Sequence, residues 1–171
     1  MTASCYPTWT FNLRNTQGFS LIEFIMVMIV MAILAIVPFF NWPAASISLD
    51  GQAQQLANDI RYTQSLAMTQ AERYRIVITT GTSSYQILNS TGTAIRFASG
   101  NTSVTLSTGI SFGTLTNLPS NLIAFDGEGT PYTNTSIPGT ALSANATIPL
   151  QSSGSTKTVV ITPLTGKVNV Q

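Results

Sequence analysis

Few side chains in this sequence can do chemistry, and the most conspicuous is a carboxylate set in apolar surroundings. Glu23 follows Phe19-Ser20-Leu21-Ile22 and precedes an apolar run that continues to Val37. At the centre of a bilayer such a carboxylate costs about 2.5–3.5 kcal/mol, and somewhat less near the interface. Something must use it. In a chain beginning at Phe19, a new α-amino group would lie one helical turn away. An ammonium and a carboxylate desolvated together are far cheaper than either alone.

The other reactive candidates are sparse. The chain has no histidine and one cysteine, Cys5. This excludes Cys/His and Ser/His catalysis, histidine metal sites and an intrachain disulfide. Cys5 lacks the preceding apolar stretch of a lipoprotein cysteine and reads as an incidental thiol. There is no Ser-x-x-Lys and no Gly-rich phosphate loop. The sequence predicts no enzyme and no cofactor.

Asp126-Gly127-Glu128-Gly129 places two carboxylates in one loop. Calcium takes six to eight ligands and the spacing is not that of an EF-hand, so a solvated turn is expected there. Lys157 and Lys167 flank the closing segment, and Asn169 follows Lys167 by two residues. Asn89, Asn101, Asn134 and Asn145 fall in N-x-S/T sequons, expected by chance in a Ser/Thr-rich chain.

The 171 residues are enough for one modest domain plus a membrane segment. Charged residues make up 8% against 44% apolar, so Ser, Thr and Asn must supply the surface polarity, as suits an exported β-rich domain. Of the seven basic side chains, Arg14 lies before Glu23; without it six basic face six acidic. A neutral chain has no general attraction to nucleic acid, and DNA is not an expected partner.

The elements that position these residues follow from periodicity. Residues 1–18 are polar. Residues 19–37, as a helix, would span roughly 28 Å, close to the ~30 Å bilayer core. Pro38 and Pro43 are expected to mark an interfacial break or kink, with Phe39, Phe40 and Trp42 at the membrane boundary. From Ser48, Leu49, Ala53, Leu56, Ile60, Thr63, Ala67, Gln70 or Ala71, and Tyr74 recur at three and four, giving an amphipathic helix capped by Ser48 or Asp50. After Arg73 the period becomes two. Strands are expected at 74–80, 84–88, 93–98, 103–106, 121–125, 146–150, 157–162 and 167–170, with a long loop at 130–145. One helix on meandering strands gives an α+β domain.

Gly18-Phe19-Ser20-Leu21-Ile22-Glu23 before an apolar run resembles the signal of type IV pilins and type II secretion pseudopilins. The resemblance implies cleavage after Gly18 by a prepilin peptidase and N-methylation of Phe19. It also implies that Glu23 meets the N-terminal amine of a neighbouring subunit as helices pack into a filament. Residues 56–67 resemble the post-anchor helix of GspH/FimT-type minor pseudopilins, and residues 158–170 are similar to that family's C-terminal hairpin. No cysteine follows Phe19, so the disulfide-closed loop of many major pilins is absent, which favours a minor subunit. Pro38 falls two residues earlier than that family's usual proline. The implied organisation is a leader at 1–18, a transmembrane assembly helix at 19–40 and a periplasmic head at 41–171. The implied partners are the peptidase, other pilin or pseudopilin subunits and inner-membrane lipid. The alternative is a filament-borne module that binds DNA or a surface ligand.

Overall fold

The computed structural model describes residues 18, 20–40, 44–97 and 99–171, with side chains left aside at 34–40 and 44–47. Phe19, Cys5, Arg14, Trp42 and Pro43 lie outside the described residues. The chain forms two compact units, one ending at Trp42 and the other Pro43–Gln171.

The first unit holds helix α1, Leu21–Phe40. Its first turn is anchored on Ser20, whose carbonyl accepts the N–H groups of Glu23 and Phe24 at 2.9 and 3.1 Å. Pro38 does not break it: the helix runs on to Phe40. Proline removes one N–H, but a last turn that needs little further hydrogen bonding keeps its helical path to Phe40. Among the described residues no helix is long and apolar enough to cross a membrane. The part of α1 with described side chains, residues 21–33, measures about 20 Å.

The second unit is α2, Ala44–Gln70, and nine strands. These are β1 Tyr74–Thr79, β2 Ser84–Leu88, β3 Val104–Thr105, β4 Ser111–Phe112, β5 Leu122–Phe125, β6 Pro131–Tyr132, β7 Ala146–Ser152, β8 Ser155–Ile161 and β9 Val168–Val170. They make a five-stranded sheet in the order β3-β2-β1-β5-β6 and a four-stranded sheet in the order β4-β7-β8-β9. Every pairing is antiparallel.

The apolar stripe of α2 lies where its period puts it. Leu49, Ala53, Leu56, Ala57, Ile60, Thr63 and Ala67 are buried against both sheets. Each fully buried Leu or Ile there contributes about 1.5–3 kcal/mol. Thr63 satisfies its hydroxyl on the Asp59 carbonyl at 2.8 Å. The helix begins before Ser48 and Asp50, which therefore do not cap it; the Ala44-Ala45 pair favours an earlier start. It ends with Ala71 at φ 52° and the Glu72 N–H on the Ala67 carbonyl at 3.3 Å, a left-handed stop. Tyr74 consequently belongs to β1 rather than to the helix stripe, with its hydroxyl on Gln70 at 2.7 Å.

The expected strand at 93–98 reduces to a bridge between Ala94 and Leu88. The Asn89 carboxamide captures the Thr93 N–H at 2.7 Å, and the chain turns again at Gly100. The outer edge of β2 is then shared, Ile95 bonding Ile87 and β3 pairing Ser84 and Tyr85. Strands β4 and β6 were not expected, since two residues show no alternation, and β6 divides the loop at 130–145. Strands β7 and β8 run longer than expected, meeting at Ser153 and Gly154 with φ 40° and 86°. A two-residue turn of that hand lets polar Ser152 and Ser155 pair directly.

Candidate functional site

In α1 every side chain from residue 21 to 33 is exposed, and Glu23 is the only charge among them. Met26, Val27, Val30 and Met31 line a shallow groove with Glu23 at its head. Those positions follow Glu23 by three, four, seven and eight, so they share one helix face. A helix apolar on all sides is stable only when lipid or other helices cover it. Glu23 in its first turn also complements the positive end of the helix dipole. Gly18 is exposed, and a Cβ there would meet nothing within 4 Å. The sequence therefore brings Gly18 and Glu23 to one end of a bare apolar rod.

In the head, polar side chains of α2 hold the loops of both sheets. Gln64 Nε2 donates to the Gly129 carbonyl at 2.8 Å and the Thr165 carbonyl at 2.9 Å. Arg61 Nη2 donates to the Val168 carbonyl at 2.8 Å on the β8–β9 hairpin. Gln64 and Arg61 lie off the apolar stripe that the periodicity marks, so the sequence pattern does not reveal these roles. Partners more than sixty residues away leave no local signal.

The remaining expected sites are structural. Asp126 Oδ1 accepts the N–H groups of Glu128 and Thr130 at 3.0 and 2.9 Å, so that carboxylate closes its own turn. Lys157 lies 3.2 Å from Asp50, an exposed pair worth little to stability. Lys167 and Asn169 are exposed on the hairpin. Asn89 and Asn134 use their carboxamide oxygens to close local turns on Thr93 and Thr140.

Asp59 on α2 lies off the apolar stripe, yet its Oδ2 accepts the Tyr85 hydroxyl at 2.6 Å. Burial raises the Asp59 carboxyl above the ordinary carboxylate range, opposed in part by the Tyr85 bond. Burial first, then the bond to Asp59 and its charge, push the Tyr85 phenol up. A carboxyl raised on folding holds its proton more tightly in the folded state. Its contribution is therefore greatest below the unfolded pKa and is lost as pH rises through the folded one. Asp59→Asn, which keeps an acceptor for Tyr85, should be at least as stable as the parent at pH 7. Its gain over the parent should shrink as pH falls through the raised carboxyl pKa. Tyr85→Phe leaves the half-buried carboxylate without its donor and should lose about 1–3 kcal/mol by thermal melts. Equal melts for Tyr85→Phe and the parent would show the pair to be idle.

The described residues thus comprise a bare apolar helix headed by a carboxylate and, in the second unit, a helix laid on two antiparallel sheets. The family model described as type II transport protein GspH matches residues 52–166, most of the chain, and the chain belongs to that family. The prokaryotic N-terminal methylation motif matches residues 13–37. The chain is thus a minor pseudopilin or minor pilin subunit. Its fold is similar to the minor pseudopilin EpsH from the type 2 secretion system of Vibrio cholerae, with a TM-score of 0.56 at 12% identity over 72% of this chain and 96% of that one. A second EpsH structure gives 0.57 at 9% identity over 75% and 98%. The type IV minor pilin FimU of Pseudomonas aeruginosa gives 0.52 at 15% identity over 74% and 90%. Comparison with curated proteins gives no significant match.

Proposed function

We propose that this subunit is cut after Gly18 by a prepilin peptidase, N-methylated on Phe19, and held in the bacterial inner membrane by residues 19–40. The head, residues 41–171, stands in the periplasm until α1 packs beside the helices of neighbouring subunits in a type II secretion pseudopilus or type IV pilus. Glu23 pairs with the α-amino group of a neighbour's Phe19. The role is structural; the subunit catalyses nothing and needs no cofactor.

One observation carries this reading: a single carboxylate in the first turn of an exposed apolar helix, five residues after Gly18. A polypeptide leaves that surface and that charge uncovered only where lipid and then partner helices receive them. DNA is not favoured as a partner. Arg61 is committed to the Val168 carbonyl and Lys157 to Asp50, which leaves few cations for phosphates.

Gly18→Val tests the processing step. Because a side chain at residue 18 meets open space, the variant should insert and fold as the parent does. It should nevertheless accumulate at precursor mass, whereas mass spectrometry of the parent should find a chain beginning at N-methyl-Phe19. A native N-terminus near Ser46 would sink the reading and indicate an ordinary signal peptide instead.

A further inference from the structure

A half-buried carboxylate ordinarily has a cation beside it. Asp59 does not. Among the described residues the one partner bonded to its carboxylate is the Tyr85 hydroxyl on Oδ2, and no Lys or Arg lies within ion-pair distance. The carboxylate opens into a cleft of ≈ 330 Å³ between α2 and residues 96–97, lined by Asn58, Asp59, Tyr62, Arg96 and Phe97. Phe97 is buried and meets Tyr85 edge-on at 5.8 Å, which fixes that wall. Tyr62 is 42% exposed. The Asn58 carboxamide oxygen is taken by Arg61 at 2.7 Å, which leaves its NH₂ to donate. Arg96 Nη1 donates to the Gly100 carbonyl at 3.0 Å, and among the described residues the other guanidinium N–H groups have no protein acceptor.

One cleft thus offers a carboxylate and a guanidinium that do not neutralise each other. We infer that it docks a segment of a partner subunit carrying a basic side chain next to an acidic one. The basic group seats on Asp59 among the aromatic rings, and the acidic group seats on Arg96. Aromatic rings beside a carboxylate favour a cation, and a guanidinium favours a carboxylate. A purely basic segment would meet Arg96, a purely acidic one would meet Asp59, and an apolar one would strip water from both charges. The inference rests on the filament-subunit reading only for the source of the segment.

The test uses the full chain in detergent micelles, titrated with acetyl-Lys-Glu-amide and followed by NMR at the Asp59 carboxyl and the Tyr62 ring. The expected result is a saturable shift at both groups, about tenfold weaker with acetyl-Lys-Lys-amide or acetyl-Glu-Glu-amide. Asp59→Asn should weaken the Tyr62 response by about tenfold without lowering the melting temperature. Arg96→Glu should move the preference to Lys-Lys. Equal shifts with all three peptides, or unchanged binding by Asp59→Asn, would overturn the inference. No shift with any peptide, in a chain still recovered from sheared filaments, would overturn the cleft and leave filament membership standing.

Discussion

Glu23→Gln should remove the subunit from sheared filaments, by about a hundredfold to a few thousandfold, while leaving it cleaved after Gly18 and resident in the membrane. The substitution keeps the shape of the first turn of α1 and removes only the charge. Breaking a buried ion pair costs about 3–5 kcal/mol because the partner charge stays buried alone. At roughly 1.4 kcal/mol per decade, that range gives the expected loss. Glu23→Leu should insert as well as the parent or better, since a costly group has gone, and should also fail to assemble. Quantitative immunoblots of membrane and sheared fractions separate insertion from incorporation. Wild-type recovery of Glu23→Gln in sheared filaments would end the ion-pair account.

Gly166→Ala should destabilise the head by about 3 kcal/mol, lowering its melting temperature by roughly 10 °C. Gly166 sits at φ 62° in the turn between β8 and β9, a conformation that costs any other residue. An added Cβ would lie 2.6 Å from Gln64 Nε2, 2.8 Å from Phe125 Cε1 and 3.0 Å from the Gly129 carbonyl. The Gln64 amide could swing away, but only by giving up its bonds to Gly129 and Thr165. Neither the buried Phe125 ring nor the Gly129 backbone can yield cheaply. Gly154→Ala supplies the contrast: φ is 86° there, yet a Cβ meets nothing within 4 Å. That variant should lose only the backbone term, about 1–2 kcal/mol. Equal losses at the two sites would show that crowding beneath Gly166 contributes nothing.

These two sites differ in how openly the sequence declares them. Glu23 is legible because a charge inside an apolar run has no local excuse, and the buried stripe of α2 is legible because 3.6 periodicity survives even with Thr63 in it. Gly166 reads only as a turn residue. What makes it irreplaceable is Gln64, a hundred residues earlier, closing over it. The same limit hid Asp59, whose partner Tyr85 comes from a strand in the other half of the packing interface. Strands β4 and β6 escaped because two residues carry no period. Residues 93–98 misled because β-rich composition is not a ladder: Asn89 turns the chain early, and Ala94 alone forms the bridge.

Gln64 has one more consequence, and it is mechanical. The two sheets of the head share no strand, yet this one amide grips a loop after β5 and the turn before β9 together, while Arg61 one turn earlier grips β9 itself. A pull on the N-terminal end of α2 would therefore load its bonds to both sheets together with the buried stripe of the helix. Shear of that kind resists tension better than peeling, in which bonds fail one after another. A chain whose lone thiol is Cys5 has no disulfide to share the strain, so the helix that crosses both sheets serves as its tie-rod.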